Sequence, residues 1–185
     1  VGIWGKDMMH SGIVDKHMDL IVDHAAKAVH EAWKARVLVN MHYATGQFGA
    51  DWVKNISEPD LLDRSLTVLQ FLDDKKRNVA TLTNFACHPT ILDDFADAAS
   101  SDYVGGYYRY ADSVQGGINM FLQGAIGGWV QPEDVPSSYE NAMKYGGLLG
   151  NQVMKLLERA IPMSGKRLHY QSSKVAFPLK NENFR

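Results

Sequence analysis

Between Asp15 and Lys34 the apolar residues Met18, Ile21, Val22, Ala25, Ala28, Val29, Ala32 and Trp33 recur at intervals of three and four, the period of one helix face. Asp15 is placed to cap the start, and Lys34 and Arg36 lie where cations favour the helix dipole. Arg36 to Met41 reads as a short strand, and the aperiodic stretch from Tyr43 to Pro59, with Gly46, Gly49, Asn55 and Pro59, as a long loop. The runs Ser65–Leu72 and Val79–Ala86 are rich in strand formers and are joined by the polar turn Asp73 to Asn78, which predicts a hairpin. Tyr103 to Ser113 carries Tyr107, Tyr110 and Ala111 at helical spacing. Ile118 to Gln123 is strand-like and runs into the glycine-rich Gly124 to Gly128.

A second strong helix is predicted over Ser138 to Ile161, through Ala142, Tyr145, Leu148, Leu149, Val153, Leu156 and Leu157, with Pro162 as its stop. The tail from His169 to Leu179 alternates like an edge strand and contains Pro178. Strands and helices interleave without a repeat or a dividing linker. The fold class is therefore α/β, a mixed β-sheet flanked by helices in a single domain over residues 1–185.

Composition narrows the function classes. The 185 residues are 45% apolar and 22% charged, which excludes disorder, collagen and coiled coil as whole-chain descriptions. Nineteen basic against 21 acidic residues give a formal net charge of −2, and the longest basic run, Lys75-Lys76-Arg77, sits in the predicted hairpin turn, so nucleic acid is not an expected partner. With Cys87 alone no intrachain disulfide forms. No apolar run approaches the ~20 residues of a transmembrane helix. The first residues, Val1-Gly2-Ile3-Trp4-Gly5, lack a signal-peptide layout and a starting Met, which suggests a processed product or a piece of a longer chain.

Several catalytic patterns are absent: no Gly-x-Ser-x-Gly elbow, no Ser-x-x-Lys, no Walker loop and no His-Glu-x-x-His. Gly124 to Gly128 follows a strand but opens no helix, as a phosphate cradle requires. His17 and His24, seven residues and so ~10 Å apart along one helix, suit boundary packing better than a shared ion. His10, His42 and His169 carry weaker signals. His88 differs because it lies in Cys87-His88-Pro89-Thr90, where an apolar strand ends and proline turns the chain out of the sheet; a structural role and a functional one are both open there. Asp102 or Ser101 suits a helix N-cap.

Three motifs in order, Asn84 to Thr90, Ser101-Asp102-Tyr103 with Gly105-Gly106-Tyr107, and Phe121 to Gly128 closing on Pro132, resemble the N-terminal catalytic domain of the neutral/alkaline non-lysosomal ceramidase family, particularly its bacterial members. The Ala-rich helix ending at Arg36, the segment Pro59 to Phe71 and Phe177-Pro178-Leu179 extend the resemblance over most of the chain. It implies a zinc hydrolase of lipid metabolism, an amidase or esterase acting on an acylated small molecule. His88 aligns with a zinc ligand, and an early histidine pair and late acidic and tyrosine ligands belong to segments not contained here. Asp102 would orient a ligand or a nearby turn, Gln123 and the Gly124, Gly127 and Gly128 amides would line the site floor, and Gln131 would border the substrate.

The ceramidase signature Gly-Asp-x-Ser-Pro is here Gly128-Trp129-Val130-Gln131-Pro132, so Gln131 replaces the serine and hydrolysis would use metal-activated water. Zinc would then need ligands from a missing segment or a second chain. The competing expectation is an inactive scaffold that binds an apolar ligand or partner without turnover. A metal-free esterase built on Ser100-Ser101 or Ser137-Ser138 lacks a motif that sets a histidine beside either pair. The resemblance favours a secreted or periplasmic location.

Overall fold

A computed structural model of the chain describes residues 13–93, 99–165, 169–176 and 178. In chain order the elements are α1 (Asp15–Lys34), β1 (Asn40–Gln47), β2 (Val53–Asn55), β3 (Ser65–Leu72), β4 (Asn78–Phe85), α2 (Asp102–Val114), β5 (Ile118–Gln123), β6 (Val130–Pro132), α3 (Tyr139–Leu157) and β7 (Ile161–Pro162). Five strands form a mixed sheet in the order β5-β4-β3-β1-β7, and β2 pairs with β6 in a separate two-stranded sheet. Only the β4–β5 pairing in the main sheet is parallel, its two strands joined through α2. This is the α/β architecture with a mixed sheet that the interleaved pattern predicts.

The predicted hairpin is β3 and β4, registered Leu69 opposite Leu82 and Thr67 opposite Asn84. Its turn is organised by Asp73, whose carboxylate accepts the backbone N–H groups of Lys75 and Arg77 and the Arg77 Nε–H at 2.8–2.9 Å. The basic run is thus a solvated turn.

Period 2 sorts the sheet into two faces. One face presents Ala44, Leu66, Val68, Thr83 and Phe85, all buried, beneath α2 and α3. Tyr103, Tyr107 and Ala111 of α2 and Ala142, Leu149, Val153 and Leu156 of α3 complete this core. The two helices approach backbone to backbone because glycines stand at the crossing. A Cβ on Gly106 would come within 2.9 Å of the Ala142 carbonyl oxygen, and one on Gly146 within 2.1 Å of the Tyr103 carbonyl oxygen. Between helix and sheet, the Tyr107 hydroxyl shares a 2.8 Å hydrogen bond with Thr83, so a buried threonine is satisfied. The opposite face, rows Met41-Phe71-Ala80-Ile118 and Tyr43-Leu69-Leu82-Met120, has no buried residue.

Several expectations change. Asp15 is the first helical residue rather than the cap, which is Val14 and makes no side-chain capping bond. The first strand begins at Asn40, not Arg36, and runs on to Gln47 through what reads as loop, because β1 pairs with β3 along its entire length. The short strands β2 and β6, inside that loop and after the glycine run, hold too few residues to show a period. Helix α3 ends at Leu157, ahead of Pro162, since Ile161 and Pro162 turn back to pair with Tyr43 and His42 on β1. Leu148, expected inward, is exposed. Residues 169–176 form no strand and are exposed, while Phe177 and Leu179 lie outside the described residues.

Candidate functional site at the ends of the parallel strands

Because β4 and β5 are parallel, their carboxyl ends emerge side by side, with Phe85 registered against Gln123. In open α/β sheets this is the edge where loops assemble binding sites. The loop after β4 carries His88, and the loop after β5 carries Gly124 to Gly128 before entering β6. The two loops are tied together: the His88 N–H donates to the Val130 carbonyl at 2.8 Å and the Gly124 N–H to the Phe85 carbonyl at 2.9 Å. Gln123 Nε2 also reaches the Phe85 carbonyl, at 3.3 Å, so its side chain is partly engaged in holding the strand ends. Gly124 must lack a side chain, since a Cβ there would meet the Ala86 side chain at 2.9 Å and the Ala86 nitrogen at 3.0 Å.

His88 is half-buried, and its imidazole has no hydrogen-bond partner among the described residues. The chain on either side of it is anchored from beneath. Tyr103, fully buried, donates its hydroxyl to the Cys87 carbonyl at 2.6 Å. Asp102 is buried and accepts the Leu92 N–H at 2.8 Å and the Tyr103 N–H at 2.7 Å. Its φ of +52° is in the left-handed region, uncommon outside glycine and tolerated best by Asp and Asn. Asp102 therefore ties the start of α2 to the backbone at Leu92, in the loop that follows His88. The N-cap position falls on Ser101, without a side-chain cap bond, and it is the Ser100 hydroxyl that accepts the Asp102 N–H at 3.0 Å. Burial raises the pKa of the Cys87 thiol and of the Tyr103 phenol, so Cys87 is no nucleophile in this fold and Tyr103 is a neutral strut.

The glycine loop is held from the far side by a residue the sequence does not announce. Asn55 is buried; its Oδ1 accepts the Ser57 and Glu58 N–H groups and its Nδ2 donates to the Leu61 carbonyl at 2.7 Å. The segment it shapes donates Ile56 N–H to the Trp129 carbonyl and Ser57 N–H to the Gly128 carbonyl. A Cβ on Gly128, where φ is +82°, would stand 3.1 Å from the Asn55 amide nitrogen. An isolated Asn in a loop is usually a turn former, and only the fold shows which loop it locks. Trp129 follows with φ +68° and 65% of its surface exposed, an unusual combination for a bulky residue.

Of the expected site residues, the fold brings His88, Gln123 and Gly124 to one edge, with Gly127 and Gly128 in the adjoining loop and Asp102 beneath. Gln131 pairs with Lys54 in the small sheet, one residue beyond the Val130 that binds the His88 N–H. His17, His24 and His30 stand exposed on α1, His169 is exposed outside any strand, and His10 lies outside the described residues. His42 is half-buried in β1 with Nδ1 unpartnered. Among the described residues no group of three or more His, Cys, Asp or Glu could hold a metal ion. His88 alone does not fit a zinc centre, which takes three protein ligands in its catalytic form. A cleft of about 440 Å³ between Phe48, Trp52, Arg64, Leu148 and Lys155 contains none of the expected site residues.

Neither the protein-family models nor the curated proteins contain a match to this chain. The solved structures do. The fold matches neutral ceramidase from Pseudomonas aeruginosa with a TM-score of 0.66 at 19% identity, over 80% of this chain and 27% of that one. It also matches a ceramidase complexed with C2, with a TM-score of 0.59 at 18% identity, over 70% and 24% of the respective chains. The class is therefore a ceramidase-like α/β fold. The chain spans about a quarter of the length of these ceramidases.

Proposed function

We propose that the chain forms one wall of a zinc-dependent hydrolase site for an amide or ester bond of an acylated, lipid-like small molecule, with His88 as its metal ligand. The observation that carries this is the half-buried His88 imidazole, without a hydrogen-bond partner among the described residues, its backbone N–H held by Val130 and the loop after it held by Asp102 at Leu92, at the carboxyl ends of parallel strands in a ceramidase-like fold. Such anchoring is what a positioned ligand or acid–base group needs. The described residues hold only part of a metal site, so in this proposal the remaining donors lie outside them. Gln123, Gly127 and Gly128 would present a polar floor to the substrate carbonyl, Gly124 would brace that floor through its N–H to the Phe85 carbonyl, and Gln131 and Trp129 would form its border. A location outside the cytoplasm would accord with this role; among the described residues no helix is long and apolar enough to cross a membrane.

The test is metal content and chelator-sensitive hydrolysis of a short N-acyl amide and a short acyl ester by the polypeptide made from the complete reading frame that contains this chain. His88→Ala should lower bound zinc and reduce the rate at least ~100-fold. Zinc and turnover indifferent to His88→Ala would sink the assignment, and stable folding with neither zinc nor turnover would favour the inactive scaffold.

A further inference from the structure

The cleft of about 440 Å³ beside α3 shares no residue with the site at His88. One wall is the loop after β1, with Phe48 and Trp52. The other is a single row of α3, Leu148, Asn151, Gln152 and Lys155, at the i, i+3, i+4 and i+7 positions that share a helix face. The row is graded, apolar at Leu148 and cationic at Lys155, about 10 Å further along the helix. Leu148 belongs to the apolar stripe of α3 but is 46% exposed, because it meets the cleft instead of the core. Arg64, the residue before β3, also lines the cleft and is half-buried. Its Nη1 donates to the Gly49 and Val53 carbonyls at 2.7 and 3.1 Å. The Nε and Nη2 donors, which together make the forked edge that fits a carboxylate, have no partner among the described residues. Nor do the side chains of Lys155, Asn151 and Gln152.

A lysine in the last turn of a helix suits the dipole, and an arginine that staples a loop has a structural role of its own. Those roles leave the missing counter-ions unexplained. A guanidinium withdrawn from water is ordinarily paired, yet neither Arg64 nor Lys155 forms an ion pair among the described residues. The exposed Asp51 lines the same cleft. Two cations against its one carboxylate leave a single positive charge, which a monoanion balances and a phosphate dianion does not. Arg64 also borders a hollow of about 230 Å³, but there Glu133 opposes an anion and Lys54 is already paired with Asp134. We propose that the larger cleft binds a small monocarboxylate with an apolar chain. Arg64 and Lys155 hold the carboxylate, and the chain runs along α3 toward Leu148, against Phe48 and Trp52. The volume is that of small-ligand sites, ~300–1,000 Å³. The apolar wall is built in advance: the Trp52 ring meets Phe48 edge-on at 6.0 Å and leans on Tyr145 of α3 at 4.9 Å.

The probe is octanoate, titrated calorimetrically into the polypeptide made from the complete reading frame that contains this chain. Butanoate, octyl phosphate and octylammonium serve as comparisons. Octanoate should saturate a single site with a Kd below about 1 mM. Butanoate should bind at least about tenfold more weakly, since it leaves Leu148 uncovered, and octyl phosphate and octylammonium should bind more weakly than octanoate. Lys155→Met changes an exposed side chain that has no protein partner to lose, and should weaken octanoate at least about tenfold. Leu148→Asn should weaken octanoate and leave butanoate unchanged. Lys75→Met, in the hairpin turn at the other end of β3, should change neither. Arg64 is kept, because its bonds to Gly49 and Val53 shape the loop, and circular dichroism and melting temperature confirm the fold of each variant. Octanoate binding that does not saturate, or that is the same in Lys155→Met and Leu148→Asn as in the parent, overturns the proposal. So does a preference for the phosphate or the ammonium probe. A cleft already filled by another stretch of the same polypeptide would show no binding and overturn it too. None of these readouts involves zinc or turnover, so a failure here is separable from a failure of the hydrolase assignment.

Discussion

Helices α1 and α3 are nearly the same length, 20 and 19 residues, and both carry a clear apolar stripe, yet α3 buries six residues and α1 none. The difference is not in periodicity. It lies in what each stripe meets: α3 crosses α2 at glycines and settles on Leu66 and Val68 of the sheet, whereas α1 meets no partner layer within the described residues. An amphipathic pattern states that a surface is to be covered and is silent on the cover. Most of a helix's stability in a folded protein comes from that tertiary cover rather than from its own propensity.

The comparison breaks first at the glycine crossing. Gly146→Ala would drive a Cβ into the Tyr103 carbonyl and Tyr107 nitrogen of α2, backbone atoms that cannot rotate aside. A loss above about 4 kcal/mol, or failure to fold, is expected in urea denaturation; a loss below ~1 kcal/mol would mean that the helices do not pack this closely.

The core side chains come next. Leu149→Ala on α3 leaves a cavity in a fully buried position and should cost about 2–5 kcal/mol. Ile21→Ala on α1 removes a comparable side chain from solvent and should change the stability of the 185-residue chain by no more than about 0.5 kcal/mol. Equal losses at the two positions would erase the distinction between the helices.

A smaller effect sharpens the description of the covered side. Burial raises the Tyr107 phenol from its ordinary value of 10.0 to about 12, the Thr83 hydrogen bond opposing the shift. The folded state holds the proton more tightly than the unfolded one, so this contribution to stability is complete below pH 10 and is lost as pH rises through 12. Melting temperature should fall across that window, less steeply in Tyr107→Phe. An unchanged slope in that variant would assign the alkaline limb to Tyr103 and other groups.

Legibility in the sequence followed the strength of local signals. The hairpin strands, β5 and all three helices appear in the pattern because each spans enough residues to show a period. The error over β1 has the opposite origin: Met41 to Gln47 contains Gly46 and polar residues typical of a loop, and it is a strand because β3 on one side and β7 on the other offer backbone partners. At the site, His88 and the glycine run are recognisable from residue type and order. The struts are not: Tyr103 reaches a carbonyl 16 residues away at Cys87, Val130 accepts the N–H of the distant His88, and the turn that Asn55 caps meets the glycine loop only in the folded chain.

Residue order alone determined the alternation of helices and strands, the apolar side of each, and the presence of one histidine at a strand end, since these depend on neighbours within a few positions. Which strands run parallel, and hence that His88 and Gln123 leave the sheet together, was decided by hydrogen bonds between segments some 38 residues apart. So was the division into a covered face and a bare one, because burial is a property of two surfaces and the chain's own pattern describes only one of them.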